Sequence, residues 1–315
     1  MSKEAVASNL SEASKVLILT HIDPDGDAIG SVLGLGLALE KLGKKVVMAC
    51  QDPVPKRFLY LPGSQRIVPY PYGYFDIVVS LDVNDLKRLG RVYHEELFGH
   101  LPLLNIDHHI TNLHFGTINW VDPEAAATAE MVFELLEEMG APIEPDVATC
   151  LLNGIVTDTQ GFRTPNTTVK TLETALRLQK AGANLYQIMT QAFNHHSFNM
   201  LKLWSKLLAR VQLKDGIIWV DKPRSILQEL ELEEDHDHGL INFLLGVDGV
   251  KIATIFTEKP GGEIDVSFRS VPGVDVSTVA VKLGGGGHPQ AAGCRLKGDL
   301  EEVKKLVLEE LRKLL

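Results

Sequence analysis

The stretch Val16-Leu-Ile-Leu-Thr-His21-Ile-Asp-Pro-Asp25-Gly-Asp27-Ala-Ile-Gly-Ser31 packs a histidine and three carboxylates between a run of β-formers and an apolar periodic segment. Acids this close repel one another unless positive charge lies between them. A divalent ion supplies it, and His21 with Asp25 and Asp27 offers a mixed nitrogen–oxygen ligand set. A plainer reading is an acidic turn in which Asp27 caps a helix and His21 is hydrogen-bonded at a strand end. Other acids tip the scale. Ile77-Val-Val-Ser-Leu runs into Asp82, Leu103-Leu-Asn-Ile runs into Asp107-His108-His109, and the helical stretch Leu151-Leu-Asn-Gly-Ile-Val-Thr runs into Asp158. His21, Asp25, Asp27, Asp82, His108 and Asp158 are more ligands than one ion needs. They suit two octahedral ions bridged by one carboxylate, and Asp82 on a central strand fits the bridge. The donor set favours two Mn²⁺, with Mg²⁺ or another divalent ion as substitute. Ions held about 3.5–4 Å apart can share a water, lower its pKa and clamp the oxygens of a phosphoryl transfer. Asp107 is expected to orient an imidazole rather than to bind metal.

Such residues need a scaffold that gathers them. Short apolar strands at 16–20, 46–50, 76–82 and 101–107 alternate with helical stretches at about 28–42, 124–139, 145–157, 168–181 and 184–192. This is the pattern of an α/β fold: a parallel sheet with helices on both faces, whose strand carboxyl ends share one edge. After about residue 208 strict alternation stops. A hairpin (208–213 with 217–220), a helix at 237–246, strands at 250–257 and 263–269, and a helix at 299–314 indicate a smaller α+β C-terminal domain. The boundaries expected are a first domain over 1–192, a connector over 193–207 and a second domain over 208–315.

In the second domain, Gly284-Gly285-Gly286-Gly287 lets backbone amides approach an anion, with a helix expected to start just after it. Arg269 and His288 add cationic or donor groups for phosphate. Arg88 and Arg163 follow metal motifs and are placed to meet phosphate oxygens. His195-His196 and Asp235-His-Asp-His238 resemble metal sites but fit solvated surface or connector segments better. The three tryptophans suit packing, and no aromatic ladder for single strands is evident.

The chain has 315 residues, 45% hydrophobic and 23% charged, with a formal net charge of −10. A protein gripping long nucleic acid shows a basic footprint, which is missing as a sequence run, so a nucleic-acid substrate is expected to be short and held in a pocket. No apolar run approaches the roughly 20 residues of a membrane span, the N-terminus lacks a signal core, and three scattered cysteines fit a reducing compartment. No membrane partner and a cytoplasmic location are expected. A homodimer is neither required nor excluded.

Taken together, His-x-x-Pro-Asp-Gly-Asp-Ala-x-Gly-Ser at 21–31, strand-end Asp82, the Asp107-His108-His109 triplet and Gly154-Ile-Val-Thr-Asp158 resemble the four motifs of the DHH phosphoesterase superfamily. Phe268-Arg-Ser-Val-Pro-Gly-Val-Asp-Val-Ser and Leu283-Gly-Gly-Gly-Gly-His288-Pro-Gln-Ala-Ala-Gly293 resemble its DHH-associated substrate-binding domain. The two-domain length is similar to that of the nano-RNase / pAp phosphatase subgroup. The resemblance implies the six ligands above, a catalytic role for His109 beside Asp82, and Mn²⁺-dependent hydrolysis of short oligoribonucleotides, linear dinucleotides or pAp. A RecJ-type single-strand exonuclease and a nucleotide-binding sensor with a vestigial site are the alternatives. The acidic charge weighs against the first and the unsubstituted ligands against the second.

Overall fold

The computed structural model describes residues 3–194, 197–232 and 239–315, and the chain divides at 195/196 into two compact units. Strands β1 (Lys15–Leu19), β2 (Lys45–Ala49), β3 (Ile77–Leu81), β4 (Leu103–Asp107) and β5 (Ile118–Val121) form the first sheet. Their order is β2-β1-β3-β4-β5 and every pairing is parallel. Helices in this unit are α1 (Lys3–Glu12), α2 (Gly26–Lys41), the short α3 (Glu95–Phe98), α4 (Thr128–Glu138), α5 (Pro145–Asp158), α6 (Val169–Lys180) and α7 (Leu185–Met189).

The strands read as continuous apolar runs because both faces are covered. Val16 and Ile18 join the core under α1, α2, α4 and α5. Leu17 and Leu19 point the other way, onto Val78, Leu89, Val92 and Phe98. Glycine brings α2 and α5 close together: a Cβ on Gly30 would lie 2.5 Å from the Cys150 carbonyl. The chain leaves β1 through α2 to β2 on one side, while β3 takes the other side. The sheet order therefore reverses between β1 and β3, and the crevice at their carboxyl ends is where an open α/β sheet binds ligands.

The second unit holds a six-stranded sheet in the order β10-β11-β9-β8-β7-β6. Its strands are β6 (Gln212–Lys214), β7 (Ile217–Lys222), β8 (Ile252–Lys259), β9 (Glu263–Ser270), β10 (Gly286–His288) and β11 (Ala291–Lys297). Only β7 and β8 run parallel. Helices α8 (Phe198–Leu208), α9 (Arg224–Glu229) and α10 (Leu240–Leu245) cover Ile218, Val220, Ala253 and Ile255 on one face. α11 (Ser277–Lys282) and α12 (Leu300–Arg312) lie on the other, over Ile217, Phe256, Val266 and Phe268.

Two local expectations change. Most of the 193–207 segment is α8, an amphipathic helix capped by Ser197, whose Leu203 and Leu207 are buried in the second unit. The strand expected from 208 accordingly shrinks to Gln212–Lys214. No helix follows the glycine run. α11 ends before it, Gly284 turns at φ +81, and Gly286–His288 form a strand paired antiparallel with β11. A Cβ on Gly285 would stand 2.1 Å from the Gly293 carbonyl, so close backbone approach, rather than loop freedom, demands glycine there.

Candidate metal centre

Three neighbouring strands deliver chemistry to one edge. His21 lies two residues past β1, Asp82 directly follows β3, and His108 directly follows β4. Asp82 adopts φ +63, a left-handed conformation that aspartate tolerates better than most residues. Its Oδ2 lies 3.6 Å from His21 Nε2, and its Oδ1 lies 3.7 Å from His108 Nε2 and 3.6 Å from His109 Nδ1. Asp158, at the carboxyl end of α5, puts Oδ2 3.4 Å from His108 Nε2. Asp25, rather than Asp27, caps α2, its Oδ1 accepting the amides of Asp27 and Ala28 at 3.0 Å.

Asp27 caps a different helix. The N-cap residue of α4, Ala127, has no side chain for the role. Asp27 Oδ2 instead accepts the Thr128 amide at 2.6 Å, and Oδ1 accepts the Ala129 amide at 2.9 Å. The carboxylate thus meets the positive end of the α4 dipole. The Thr128 hydroxyl donates to Asp82 Oδ1 at 3.0 Å, so one residue steadies two carboxylates. A Cβ on Gly154 would fall 2.7 Å from Asp27 Oδ1, which makes glycine in α5 part of the space for this side chain.

Around Asp82, donor atoms of His21, Asp25 and Asp82 lie within 4.8 Å of one another, and so do those of Asp27, Asp82 and His108. The two triads share Asp82, and Asp158 adjoins the second. His21, Asp27, Asp82 and His108 are buried. Burial pushes the Asp27 carboxyl well above its ordinary range, reinforced by the Asp82 and Asp158 charges, and pushes Asp158 up to about 6. Burial opposes ionisation of Asp82 too, but the imidazoles of His21, His109 and His108 outweigh it and hold that carboxyl low. Burial lowers His108, yet Asp158, Asp82 and Asp27 raise it to about 10. These carboxylates crowd against one another, and a divalent cation would neutralise them. With its hard oxygens and borderline nitrogens, the donor set fits such an ion.

Tautomers follow from the outer contacts. His108 Nδ1 donates to the Ala125 carbonyl at 3.2 Å, turning Nε2 towards Asp82 and Asp158. His21 Nδ1 donates to the Ile22 carbonyl at 2.7 Å, which leaves Nε2 for the centre. Arg88 Nη2, 3.0 Å from that Nδ1, can then bond the same carbonyl, at 3.4 Å. Asp107 is fully buried and orients His109, not His108: Oδ1 accepts from His109 Nδ1 at 2.7 Å, and Oδ2 accepts from Asn112 Nδ2 at 2.6 Å. Asp107 and Asp82 thereby outweigh burial and raise the His109 pKa.

Sequence reasoning missed Thr128 and Asn112. Their signals were slight: a helix beginning after three alanines with no capping side chain, and an asparagine three residues beyond the His108-His109 pair. Arg163 is exposed, with Nε on the Gln160 carbonyl at 2.6 Å and its guanidinium over Phe193, contacts that tie it locally rather than to the cluster. His195-His196 and Asp235–His238 lie outside the described residues.

In the second unit, Arg269, Ala291 and His288 are successive partners across β9, β11 and β10, so their side chains share one sheet face. Gly286, Gly293 and Ser267 form the neighbouring row on that face. Arg269 Nη1 donates to the Phe268 carbonyl at 2.9 Å while its buried Nε has no partner among the described residues, and burial lowers its pKa. A Cβ on Gly287 (φ +137) would stand 2.5 Å from the Ala291 carbonyl.

A parallel sheet edged with Asp and His, followed by a glycine-bearing mixed sheet, is the arrangement of DHH-type proteins. The chain belongs to the DHH family: residues 15–155 match the DHH family N-terminal domain and 226–315 match the DHHA1 domain. It is similar to the bifunctional oligoribonuclease and PAP phosphatase NrnA of Thermus thermophilus, with 37% identity over 305 residues, 94% of this chain and 89% of that one. The Bacillus subtilis protein of the same name is 28% identical over 318 residues, covering 96% and 99%. The crystal structure of an exopolyphosphatase-related protein from Bacteroides fragilis matches with a TM-score of 0.90 and 26% identity, over 99% of this chain and 95% of that one.

Proposed function

We propose that this chain is a divalent-metal-dependent phosphoesterase that hydrolyses short oligoribonucleotides and linear dinucleotides to mononucleotides and removes the 3′-phosphate of pAp. The observation that carries this reading is the pair of His/Asp triads sharing Asp82 at the switch point of the sheet. His21, Asp25 and Asp82 would hold one ion, and Asp27, Asp82, His108 and Asp158 the other, with Mn²⁺ suiting the mixed donors. Bound there, the ions supply a water of lowered pKa and neutralise phosphate charge.

The chain's own residues do the rest. His109, its Nδ1 fixed by Asp107, turns Nε2 away from that carboxylate. Asp107 and Asp82 outweigh burial and raise its pKa, which favours the protonated form, suited to stabilising charge or protonating a leaving oxygen. Arg88 at the β1 tip is suited to a phosphate oxygen. Arg269, Gly285, Gly286, Gly287 and His288 of the second unit grip the substrate's non-reacting end, which limits substrate length. Free, buried Cys50, Cys150 and Cys294 accord with a cytoplasmic location. Among the described residues, no helix is long and apolar enough to cross a membrane.

Product analysis with Mn²⁺ tests the reading on pAp, pApA and a 24-mer RNA, with Asp82→Ala as control. Phosphate from pAp, mononucleotide from pApA and little from the 24-mer, all lost in the variant, is the expected result. Efficient degradation of the 24-mer would mean an open groove and a RecJ-type exonuclease. Absence of both turnover and Mn²⁺ uptake would favour the sensor.

A further inference from the structure

The carboxyl edge of the first sheet continues past the candidate centre, across the tip of β1 to the tip of β2. A 3₁₀ segment, Leu86–Val92, crosses it. Arg88 stands at the β1 tip beside His21. Three residues on, the Arg91 amide donates to Gln51 Oε1 at 2.9 Å, just beyond β2, and its guanidinium lies over the Tyr70 ring, 5.4 Å from the centroid. Gly90 permits this course: it sits at φ +60, where a Cβ would come within 2.3 Å of Gln51 Oε1.

Tyr70 is held at the same level. Val68, two residues before it, bridges Ala49 in parallel, its amide donating to the Met48 carbonyl at 3.0 Å and its carbonyl accepting the Cys50 amide at 3.2 Å. The loop then presents Tyr70 at 59% exposure, Tyr72 at 86% and Tyr74 at 90%. Lys87, Arg88 and Arg91 are exposed, and among the described residues none of them is in an ion pair. Unpaired cations leading from a phosphate-handling centre to a guanidinium stacked on an exposed ring are the two components of a single-strand binding track. The sequence showed no such ladder because the stacking partners lie 21 positions apart.

We propose that Arg91 and Tyr70 form a base-stacking subsite for a nucleotide beyond the scissile phosphate, with Lys87 and Arg88 on the intervening backbone. The inference rests on the oligonucleotide reading above and extends it to substrate length. Parallel strands lie about 4.8 Å apart, so the step from the β1 tip to beyond β2 is roughly 10 Å, the reach of one or two nucleotides. The one base of pAp sits on the reacting ribose itself, whereas a pentanucleotide carries further bases outward along the edge.

The test compares kcat/KM for pAp and for a pentanucleotide RNA in wild type, Tyr70→Ala, Tyr70→Phe and Arg91→Ala. Tyr70→Ala and Arg91→Ala should lose about five- to hundredfold on the pentanucleotide, through KM, and less than about twofold on pAp, while Tyr70→Phe stays near wild type. Equal losses on both substrates, or none, would overturn the subsite. Anisotropy of a labelled pentanucleotide decides the matter independently of turnover. Weaker binding by Tyr70→Ala supports the subsite even if the wild type proves inactive, a result that would refute the activity reading alone. Unchanged binding overturns it.

Discussion

The two units place their candidate residues in different ways. In the first, nearly every group at the centre is tied down from another element: Asp27 by the amides of α4, Asp82 by the Thr128 hydroxyl, Asp107 by Asn112, and His108 by the Ala125 carbonyl. In the second, Arg269 and His288 share a sheet face across a row of small residues, and among the described residues Arg269 bonds only the carbonyl of its own neighbour. A centre that must gather negative charge needs positions fixed before an ion arrives. A surface proposed to accept a variable nucleotide needs clearance more than rigidity, and Gly286, Ala291 and Gly293 leave room on that face. The contrast predicts that substitutions in the first unit act on metal affinity and turnover, and those in the second on substrate affinity.

The largest effect should come from Asp82→Ala, which removes the residue common to both triads. Steady-state kinetics should show a loss of at least about 10³-fold, with metal uptake impaired at both positions. Survival of one tight ion with measurable turnover would break the shared-ligand account. In the second unit, Arg269→Ala and His288→Ala should each lower kcat/KM for a dinucleotide by about ten- to hundredfold, on the scale of one charge-assisted hydrogen bond, with Mn²⁺ affinity retained. Reduced metal affinity in either variant would erase the contrast between the units.

Thr128→Val keeps the shape and deletes the hydroxyl on Asp82. Titration calorimetry should record Mn²⁺ binding weakened by about tenfold or more, with Thr128→Ser close to wild type. Metal affinity should also rise with pH. Asp27, Asp158, His21 and His108 all hold protons more tightly than usual in the metal-free protein, and an ion must displace them, so binding releases protons and is favoured as pH increases. Affinity that is flat between about pH 6 and 8 would contradict those assignments.

The smallest effect concerns stability away from the centre. Asp76 accepts the Ser14 and Lys15 amides at 2.8 Å each, and these bonds lower its pKa. A depressed carboxyl stabilises the fold above its unfolded pKa, and the contribution fades as pH falls through the folded value. Because the site is exposed, Asp76→Asn should cost about 1 kcal/mol or less at neutral pH and converge with wild type in acid, as denaturant titration would reveal.

Much of the first unit was legible in the sequence because strand ends are abrupt: apolar runs stop at His21, Asp82 and Asp107, and a parallel sheet sends all its ends to one edge. The plainer alternative, with Asp27 capping α2, fails: Asp25 and Asp27 both suit that role, and only the fold shows that Asp25 fills it while Asp27 serves α4. Thr128 was hidden because its partners lie 46 and 101 positions away. In the second unit, β11 escaped notice because Ala-Ala-Gly-Cys carries no β-branched residue, and the glycine run suggested a loop before a helix. Its reason for being glycine, the Gly293 carbonyl pressing on Gly285, exists only once β10 and β11 are paired.

The central proposal is that two ions meet at Asp82. Electron paramagnetic resonance of the wild-type protein titrated with Mn²⁺, beside Asp82→Asn, addresses it directly. The account predicts two equivalents bound per wild-type chain with an exchange-coupled spectrum, and loss of coupling in the variant. A single equivalent with an isolated-ion spectrum would contradict it.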